Sequence, residues 1–231
     1  MLKRYSAFHN NDISTSNIIG YDIRNRELDN KYWCELSMIY DVITNNNLQS
    51  DIICFNHYRR YIIDEKSFHQ MTVIGYEYNK PSRAIIDDND YNRGIINNAS
   101  INLGNYDMLV LEPFIKTNIR PLESLRDLGW ISSKELELFY IVVNEHKDKD
   151  IIINTFNQYL HYCNNIMCAK KEVVIDCWLW IFNILFELEM KILENGLTPT
   201  PRMYGYIAEY LLRPYCDAHN LKVGFGKSVR L

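Results

Sequence analysis

The sequence has little glycine, and its nine glycines are scattered singly along 231 residues. P-loops and dinucleotide fingerprints need closely spaced glycines, because only glycine lets the backbone approach a phosphate so closely. A G-x-S-x-G nucleophile turn and an H-E-x-x-H metal helix are also missing. The chain therefore carries none of the commonest signature motifs of nucleotide hydrolases, dinucleotide enzymes, serine hydrolases and zinc peptidases, which argues against these classes.

An excess of positive charge is also missing, since the formal net charge is −4. This balance argues against broad nucleic-acid binding, which depends on a basic surface.

The six cysteines form no C-x-x-C pair, and no histidine stands at the spacing of a zinc partner. We therefore expect reduced thiols, a cytoplasmic location and no Cys/His metal site.

The strongest apolar stretch, residues 173–193, is interrupted by charge. At helical spacing, its polar residues fall on one narrow stripe. They are Glu172, Asp176, Asn183, Glu187, Lys191 and Glu194. A bilayer span would have to bury several of these charges, so we predict a nearly enclosed helix of a soluble protein. The N-terminus shows no apolar secretory core.

Strand-like and helix-like segments alternate along the chain, which is typical of an α/β domain. The predicted strands are residues 5–9, 17–21, 51–55, 106–111 and 165–169. The predicted helices are residues 32–45, 122–126, 133–145, 151–159, 173–193 and 200–213. Ser132 or Ser133 is expected to cap the third helix, and Thr200 the last. Residues 76–105 have little periodicity and are expected to form a long excursion or lid. We predict one domain, residues 1–231, with a helix-rich C-terminal third.

Two adjacent arginines follow the buried strand predicted at residues 51–55. The segment reads His57-Tyr58-Arg59-Arg60-Tyr61. In open α/β sheets the carboxyl ends of strands border the ligand crevice. The planar guanidinium of arginine suits phosphate oxygens, so this segment predicts a site for a phosphorylated, nucleotide-linked substrate. The alternative is a solvated strand end with a surface ion pair.

The last predicted helix carries polar residues on one face: Arg202, Tyr206, Glu209 and Arg213. An arginine in the first turn of a helix would add to the exposed N–H groups that already favour anions there. Glu209 could orient an arginine or accept the proton of a sugar hydroxyl. The alternative is an ordinary solvated helical face.

Asp87, Asp88 and Asp90 form the one dense run of carboxylates. Carboxylates so close together could bind Mg²⁺ or Mn²⁺ with a diphosphate. The alternative is an acidic loop with no ligand.

Five motifs in this order resemble a family of bacterial capsular-polysaccharide glycosyltransferases long catalogued as a domain of unknown function. They are Tyr32-Trp33-Cys34-Glu35-Leu36, Asn56-His57-Tyr58-Arg59-Arg60-Tyr61, Asn165-Ile166-Met167, the run from Trp180 to Glu189, and the run from Arg202 to Glu209. The resemblance covers residues 30–223. The chain departs from the family pattern at Ser37, where threonine is usual, and at Tyr210, where arginine is frequent.

This resemblance implies a GT-A-like fold, with a Rossmann-type sheet flanked by helices. It also implies transfer of a sugar from a nucleotide-sugar donor to a capsular polysaccharide or lipopolysaccharide intermediate. GT-A enzymes commonly present metal-binding carboxylates at the strand end where this chain has arginines. Cations can neutralise a leaving diphosphate without a metal, which favours metal-independent transfer with no cofactor. Arg59, Arg60, Arg202 and Tyr58 are then expected on the diphosphate.

The resemblance and the residue types also suggest roles for other residues in these motifs, in sugar binding, proton transfer and structural support. Asn165 is expected to hold a donor sugar hydroxyl, or alternatively to cap the following helix. We rank Glu209 ahead of His57 as the general base. Glu35 is expected to be a structural partner of Arg59 or Arg60.

The expected partners are a nucleotide-sugar donor and a glycan or lipid-linked glycan acceptor, without nucleic acid or a membrane span. The expected location is the cytoplasm, including the inner face of the cytoplasmic membrane. The rival interpretations are a metal-dependent transferase that uses Asp87–Asp90, and a sugar- or nucleotide-binding module without turnover.

Overall fold

Strands and helices alternate through the computed structural model, which describes residues 2–8, 18–22, 28–45, 48, 50–57, 60–77, 80–115, 121–162 and 165–231. The strands there are β1 (Leu2–Phe8), β2 (Ile18–Asp22), β3 (Ile52–Asn56), β4 (Arg60–Ile63), β5 (Val73–Tyr76), β6 (Arg83–Ile86), β7 (Met108–Leu111), β8 (Phe114–Ile115), β9 (Leu160–His161), β10 (Met167–Lys170) and β11 (Val223–Arg230). The helices there are α1 (Asn30–Trp33), α2 (Leu36–Thr44), α3 (Glu65–His69), α4 (Asp90–Asn98), α5 (Pro121–Asp127), α6 (Ser133–Glu145), α7 (Lys149–Phe156), α8 (Lys171–Glu194) and α9 (Met203–Ala218). The α/β prediction and the helix-rich C-terminal third are confirmed.

Nine of these strands form one mixed sheet in the order β2-β1-β3-β10-β7-β11-β6-β5, and β4 pairs with β11 beside this path. Strands β1, β2 and β3 are parallel, whereas β10 is antiparallel to both β3 and β7. Because β10 runs the opposite way, its first residue, Met167, pairs with Phe55 near the end of β3. Ser6 of β1 pairs with Asn56 of β3. The carboxyl ends of β1 and β3 therefore share one edge of the sheet with the start of β10. We call this the carboxyl edge.

Both faces of the central strands are buried, since alternate residues of a strand point to opposite faces. Phe55 packs under α8, with its ring 6.2 Å from that of Trp178 in an edge-to-face arrangement. Cys54, on the other face of β3, lies in a second apolar cluster with Ile101 and Leu103. The expectation of a long excursion or lid at residues 76–105 is wrong, because β6 and α4 lie in that region and Ile101 and Leu103 pack in the apolar cluster with Cys54.

Helix α8 covers the predicted segment, and most of its apolar side chains are buried, including those of Trp178, Phe182 and Leu185. The polar residues Glu172, Asp176, Asn183, Glu187 and Glu194 are exposed, as are Leu179, Met190 and Leu193, so the helix is less enclosed than predicted. Among the helices of the described residues, none is long and apolar enough to cross a bilayer. Ser132 caps α6 through a capping box with Glu135, as predicted for that helix.

Two predicted helices differ in the structure. The helix expected over residues 32–45 is divided into α1 and α2. The last helix begins at Met203 and continues past the predicted end to Ala218, with Pro214 inside it. The break before α2 and the late start of α9 lie at residues with left-handed backbones, Cys34 and Arg202, and both help to shape the candidate site.

Strand β11 is absent from the sequence prediction because two glycines weaken its strand pattern. Both sit where neighbouring side chains come close. A Cβ atom at Gly224 would lie 2.6 Å from the Tyr106 ring, and one at Gly226 would lie 2.5 Å from Ile62. These glycines therefore serve close packing within the sheet.

Candidate functional site

The junction of α1 and α2 places a carboxylate inside the protein. Cys34 has a left-handed backbone (φ 50°), which interrupts the helix predicted there. Such a conformation is uncommon for residues other than glycine, so the residue pattern gave no sign of this break. Glu35, the N-cap residue of α2, is only 9% exposed and accepts a hydrogen bond from Asn165.

Asn165 connects three separate segments of the chain. It is buried and left-handed (φ 49°). Its Nδ2 donates to Glu35 Oε1 at 2.9 Å and to the carbonyl oxygen of Gly205 at 3.0 Å. The alternative that Asn165 caps α8 is wrong, because that helix begins at Lys171, with Lys170 as its N-cap residue. Asn165 instead holds the α1–α2 junction against α9.

Arg202 is the N-cap residue of α9 and does not lie in its first turn, as the sequence had suggested. Its backbone is left-handed (φ 66°), and its N–H donates to the carbonyl oxygen of Lys31 at 2.8 Å. Thr200 is not the cap; its N–H and Oγ1 both donate to the buried Glu135, at 2.5 and 2.8 Å. The segment before α9 is therefore fixed at two points, which holds Arg202 in place.

Three left-handed residues, Cys34, Asn165 and Arg202, meet at this point. Among the residues described, only one other non-glycine residue, Asn220, has positive φ. A non-glycine residue in this conformation costs on the order of 1–3 kcal/mol, and such residues concentrate at functional sites. The convergence of three of them, from distant parts of the sequence, marks this region for a functional hypothesis.

The side chains of α9 complete the group. The Arg202 guanidinium lies over the Tyr206 ring, 5.3 Å from its centroid, and also interacts with the Cys34 thiol. Glu209 is half-buried and interacts electrostatically with Tyr206 and Cys34. The name Arg202 cluster is used below for five residues: Glu35, Asn165, Arg202, Tyr206 and Glu209. Arg213, the fourth member of the predicted stripe, instead donates to Leu160 and Gln158.

Electrostatics make Cys34 an unsuitable nucleophile. Burial raises the pKa of its thiol to about 12, and the Glu35 carboxylate adds to this effect, while Arg202 opposes it. A thiol with so high a pKa stays protonated near neutral pH, and the thiolate is the reactive form. The chemistry available in the Arg202 cluster therefore comes from a permanent cation, carboxylates and a carboxamide.

This cluster lies at the carboxyl edge of the sheet. Asn165 precedes β10 by two residues, and β10 starts beside the end of β3. In open α/β sheets, ligands bind outside the carboxyl ends of parallel strands. The Arg202 cluster thus occupies the place where a ligand is expected in this fold class.

The arginine motif contributes a second ionic group. His57 and Arg60 face each other in an antiparallel bridge, with both backbone hydrogen bonds at 3.1 Å. Arg60 Nε donates to both carboxylate oxygens of Glu77, at 3.0 and 3.1 Å, and Arg230 pairs with the same carboxylate. The Glu77 side chain is only 4% exposed, so this contact is more than a solvated surface ion pair. Tyr58 and Arg59 lie outside the described residues.

The acidic run has local partners at the start of α4. Asp88 forms an ion pair with Arg93, and Asn89 caps the helix by accepting from the N–H of Asn92. Asp87, Asp88 and Asp90 are all exposed. Among the residues that the structure describes, no three His, Cys, Asp or Glu side chains are arranged to hold a metal ion.

Three of the five residues of the Arg202 cluster, Asn165, Arg202 and Glu209, were candidates from the sequence, which also placed Tyr206 on the same helical face. Glu35 was expected to pair with Arg59 or Arg60, but it accepts from Asn165, and Arg60 pairs with Glu77 instead. The sequence did not identify the residues that position these groups. Glu135, Glu77 and Arg230 were not singled out, because Thr200, Arg60 and the other groups that they hold are distant from them in sequence. Trp130, which follows Gly129 after the end of α5, was not identified either. Its ring stacks on that of Tyr206, with the ring centroids 4.6 Å apart and 16° between the planes.

Removing the Asn165 carboxamide should destabilise the protein. Asn165→Ala leaves Glu35 and the Gly205 carbonyl without their donor, which should lower the free energy of unfolding by about 1–3 kcal/mol. Chemical denaturation checks this value, and Asn144→Ala, at an exposed position on α6, is the control. Equal stability of the two variants would contradict the bridging role of Asn165.

Comparison with known proteins gives a family and a structural relative. The family described as "Domain of unknown function (DUF4422)" matches residues 11–220. No curated protein matches the sequence. An apo structure of the bifunctional glycosyltransferase WbbM has a similar fold, with a TM-score of 0.74 at 16% identity. The similarity covers 100% of this chain and 45% of the WbbM chain.

Proposed function

The chain belongs to the family described as a domain of unknown function (DUF4422), and from that premise we propose that it is a glycosyltransferase that uses a nucleotide-sugar donor. Its fold resembles that of a glycosyltransferase chain. At 16% identity this likeness concerns the fold alone, and an activity depends on the residues of the site.

The observation that carries the proposal is that Arg202, the N-cap residue of α9, lies over the ring of Tyr206, and that Glu209 follows Tyr206 by one turn of the helix. Glu209 follows Arg202 by seven positions, which corresponds to about 10 Å along the axis of α9 at a rise of 1.5 Å per residue. A diphosphate at Arg202 would leave room for one sugar ring beside Tyr206, with the acceptor hydroxyl close to Glu209. A cation can stabilise the leaving diphosphate, and a carboxylate can take the proton of the incoming hydroxyl, which are the two groups that inverting glycosyl transfer needs.

We propose that the leaving diphosphate is neutralised by arginine rather than by a metal ion. Arg202 is the anchor in this proposal, and Arg59 and Arg60, with Tyr58, are the further proposed donor-binding residues. A fixed guanidinium can donate two parallel hydrogen bonds to phosphate oxygens and keeps its charge at any physiological pH. Asn165 retains one carboxamide oxygen, Oδ1, for a sugar hydroxyl, because both described contacts of the group use Nδ2.

The proposed acceptor is a glycan or lipid-linked glycan on the route to a capsular polysaccharide or lipopolysaccharide, at the inner face of the cytoplasmic membrane. The five motifs that resemble capsular glycosyltransferases support this part of the proposal. The half-buried Glu209 is the proposed general base, ahead of His57, and Glu35 is the positioning residue that holds Asn165.

Arg60 offers a test with a matched control inside the protein. Arg60→Ala and Arg230→Ala each remove one of the two cations paired with Glu77, so the structural loss is similar. We expect only Arg60→Ala to weaken the binding of nucleoside diphosphates, by about 10- to 100-fold, since one charge-assisted hydrogen bond is worth roughly 1.5–3 kcal/mol. Isothermal calorimetry with UDP, GDP, CDP and TDP measures this. Equal weakening in both variants would mean that Arg60 acts through Glu77 alone.

The proposed activity is tested by incubating the protein with UDP-, GDP-, CDP- and TDP-sugars and measuring the release of nucleoside diphosphate. We expect turnover of at least one donor, and we expect that turnover to survive EDTA. Turnover abolished by EDTA would support the metal-dependent alternative at Asp87–Asp90. Tight binding of a donor without any release would support a binding module and would contradict the transferase proposal.

A further inference from the structure

The Trp130 indole is held at the surface by well-defined local structure. After α5 ends at Asp127, the left-handed Gly129 (φ 74°) donates its N–H to the carbonyl oxygen of Arg126, and Trp130 donates to that of Leu125 at 2.9 Å. These two bonds form a Schellman motif, the common C-terminal stop of a helix. The motif fixes the backbone of Trp130 and aims its side chain at α9.

The indole is nevertheless not a core side chain. It stacks on Tyr206, whose ring is 4.6 Å away at an angle of 16°, yet Trp130 remains 41% exposed. A large aromatic side chain that is rigidly held and still exposed is a feature of binding surfaces, because little conformational entropy is lost when a ligand covers it. The Trp130–Tyr206 pair is called the aromatic platform below.

The groups around the aromatic platform indicate the chemistry of its ligand. Arg202 lies over the Tyr206 ring, and the charges of Glu209 and Glu35 act on the same tyrosine. A pyranose ring presents one face of C–H bonds, which packs on an indole, and a rim of hydroxyls, which need hydrogen-bond acceptors such as carboxylates. An exposed indole beside these hydrogen-bonding groups therefore favours a hydroxyl-rich ligand such as a sugar.

We propose that the aromatic platform is the subsite for the acceptor sugar, in which the apolar face of a pyranose stacks on Trp130 and its reactive hydroxyl points toward Glu209. This inference rests on the proposed function and adds the residue that selects the acceptor. The donor diphosphate is assigned to Arg202 and the arginine motif, so a substitution at Trp130 separates the two substrates.

The test is direct binding, which does not depend on turnover. Saturation-transfer NMR with the methyl pyranosides of glucose, galactose, rhamnose and N-acetylglucosamine measures affinity for wild type, Trp130→Ala, Trp130→Phe and the control Leu128→Ala. Leu128 is 55% exposed and lies two residues before Trp130. We expect at least one glycoside to bind wild type, Trp130→Ala to weaken it at least tenfold, Trp130→Phe to retain most of the affinity, and Leu128→Ala to match wild type.

A kinetic measurement follows once a donor and an acceptor are known. We expect Trp130→Ala to raise the KM for the acceptor at least tenfold and to leave the KM for the donor unchanged. An increase in the donor KM alone would assign the indole to the nucleotide and overturn the proposal, as would the absence of glycoside binding to wild type. Glycoside binding that depends on Trp130, in a protein that turns over no donor, would support the platform while the transferase proposal fails.

Discussion

Replacing Arg202 with glycine should abolish most of the activity without lowering stability. The variant removes the guanidinium that we assign to the diphosphate. At the same time it places glycine, which tolerates φ of 66° without steric cost, at a strained position. We expect kcat/KM for the donor to fall about 10- to 100-fold, the equivalent of roughly 1.5–3 kcal/mol for a charge-assisted hydrogen bond.

The separation of stability from activity makes Arg202→Gly more informative than an alanine substitution. Thermal unfolding should show a melting temperature equal to or above that of wild type. Arg202→Lys should give an intermediate rate, because lysine keeps the charge but loses the planar fork and its position over Tyr206. Arg126→Ala removes an exposed arginine paired with Asp127, and should have no effect on rate. Full activity in Arg202→Gly would remove Arg202 from the donor site.

Glu209→Gln should cause the largest loss of transfer. A positioned general base contributes about 10²- to 10⁴-fold to the rate, and glutamine keeps the size of the side chain while removing its basicity. Single-turnover transfer, measured with donor already bound, isolates this step from product release. Glu137→Gln, at an exposed ion pair with Lys134 on α6, is the matched control.

His57→Asn is the competing variant, since His57 lies at the carboxyl edge beside Arg60. We expect it to lose less than Glu209→Gln in single-turnover transfer. A larger loss in His57→Asn would transfer the role of general base to His57. Near-normal transfer in both variants would show that neither residue is the base.

The helical elements were the most accessible from the sequence, for physical reasons that particular residues illustrate. Helix α8 is long, so its apolar surface and polar stripe repeat over several turns. Helix α6 carries its start signal in Ser132 and Glu135, and the structure shows the capping box that these two residues form. In both cases, the information that determines the element lies within the element itself.

The details of the site were less accessible, because they depend on residues that are distant in sequence or have unusual backbone geometry. Arg60 pairs with Glu77, and Glu77 is held in turn by Arg230, which is 153 residues away. Cys34 and Arg202 adopt left-handed conformations that residues other than glycine rarely take, so the start of α9 and the break before α2 could not be predicted. Asn165 was singled out from the sequence as a candidate, but its contacts with Glu35 and Gly205 depend on the packing of three separate segments.

The most direct test of the central claim is a crystal structure with the nucleotide sugar, or its nucleoside diphosphate, that the turnover and binding assays identify. We predict that the diphosphate contacts the Arg202 guanidinium at the carboxyl edge of the sheet, without a bridging metal ion, and that the sugar lies between Tyr206 and Glu209. A diphosphate bound instead through a metal ion at Asp87–Asp90, with the Arg202 cluster unoccupied, would contradict the site assignment.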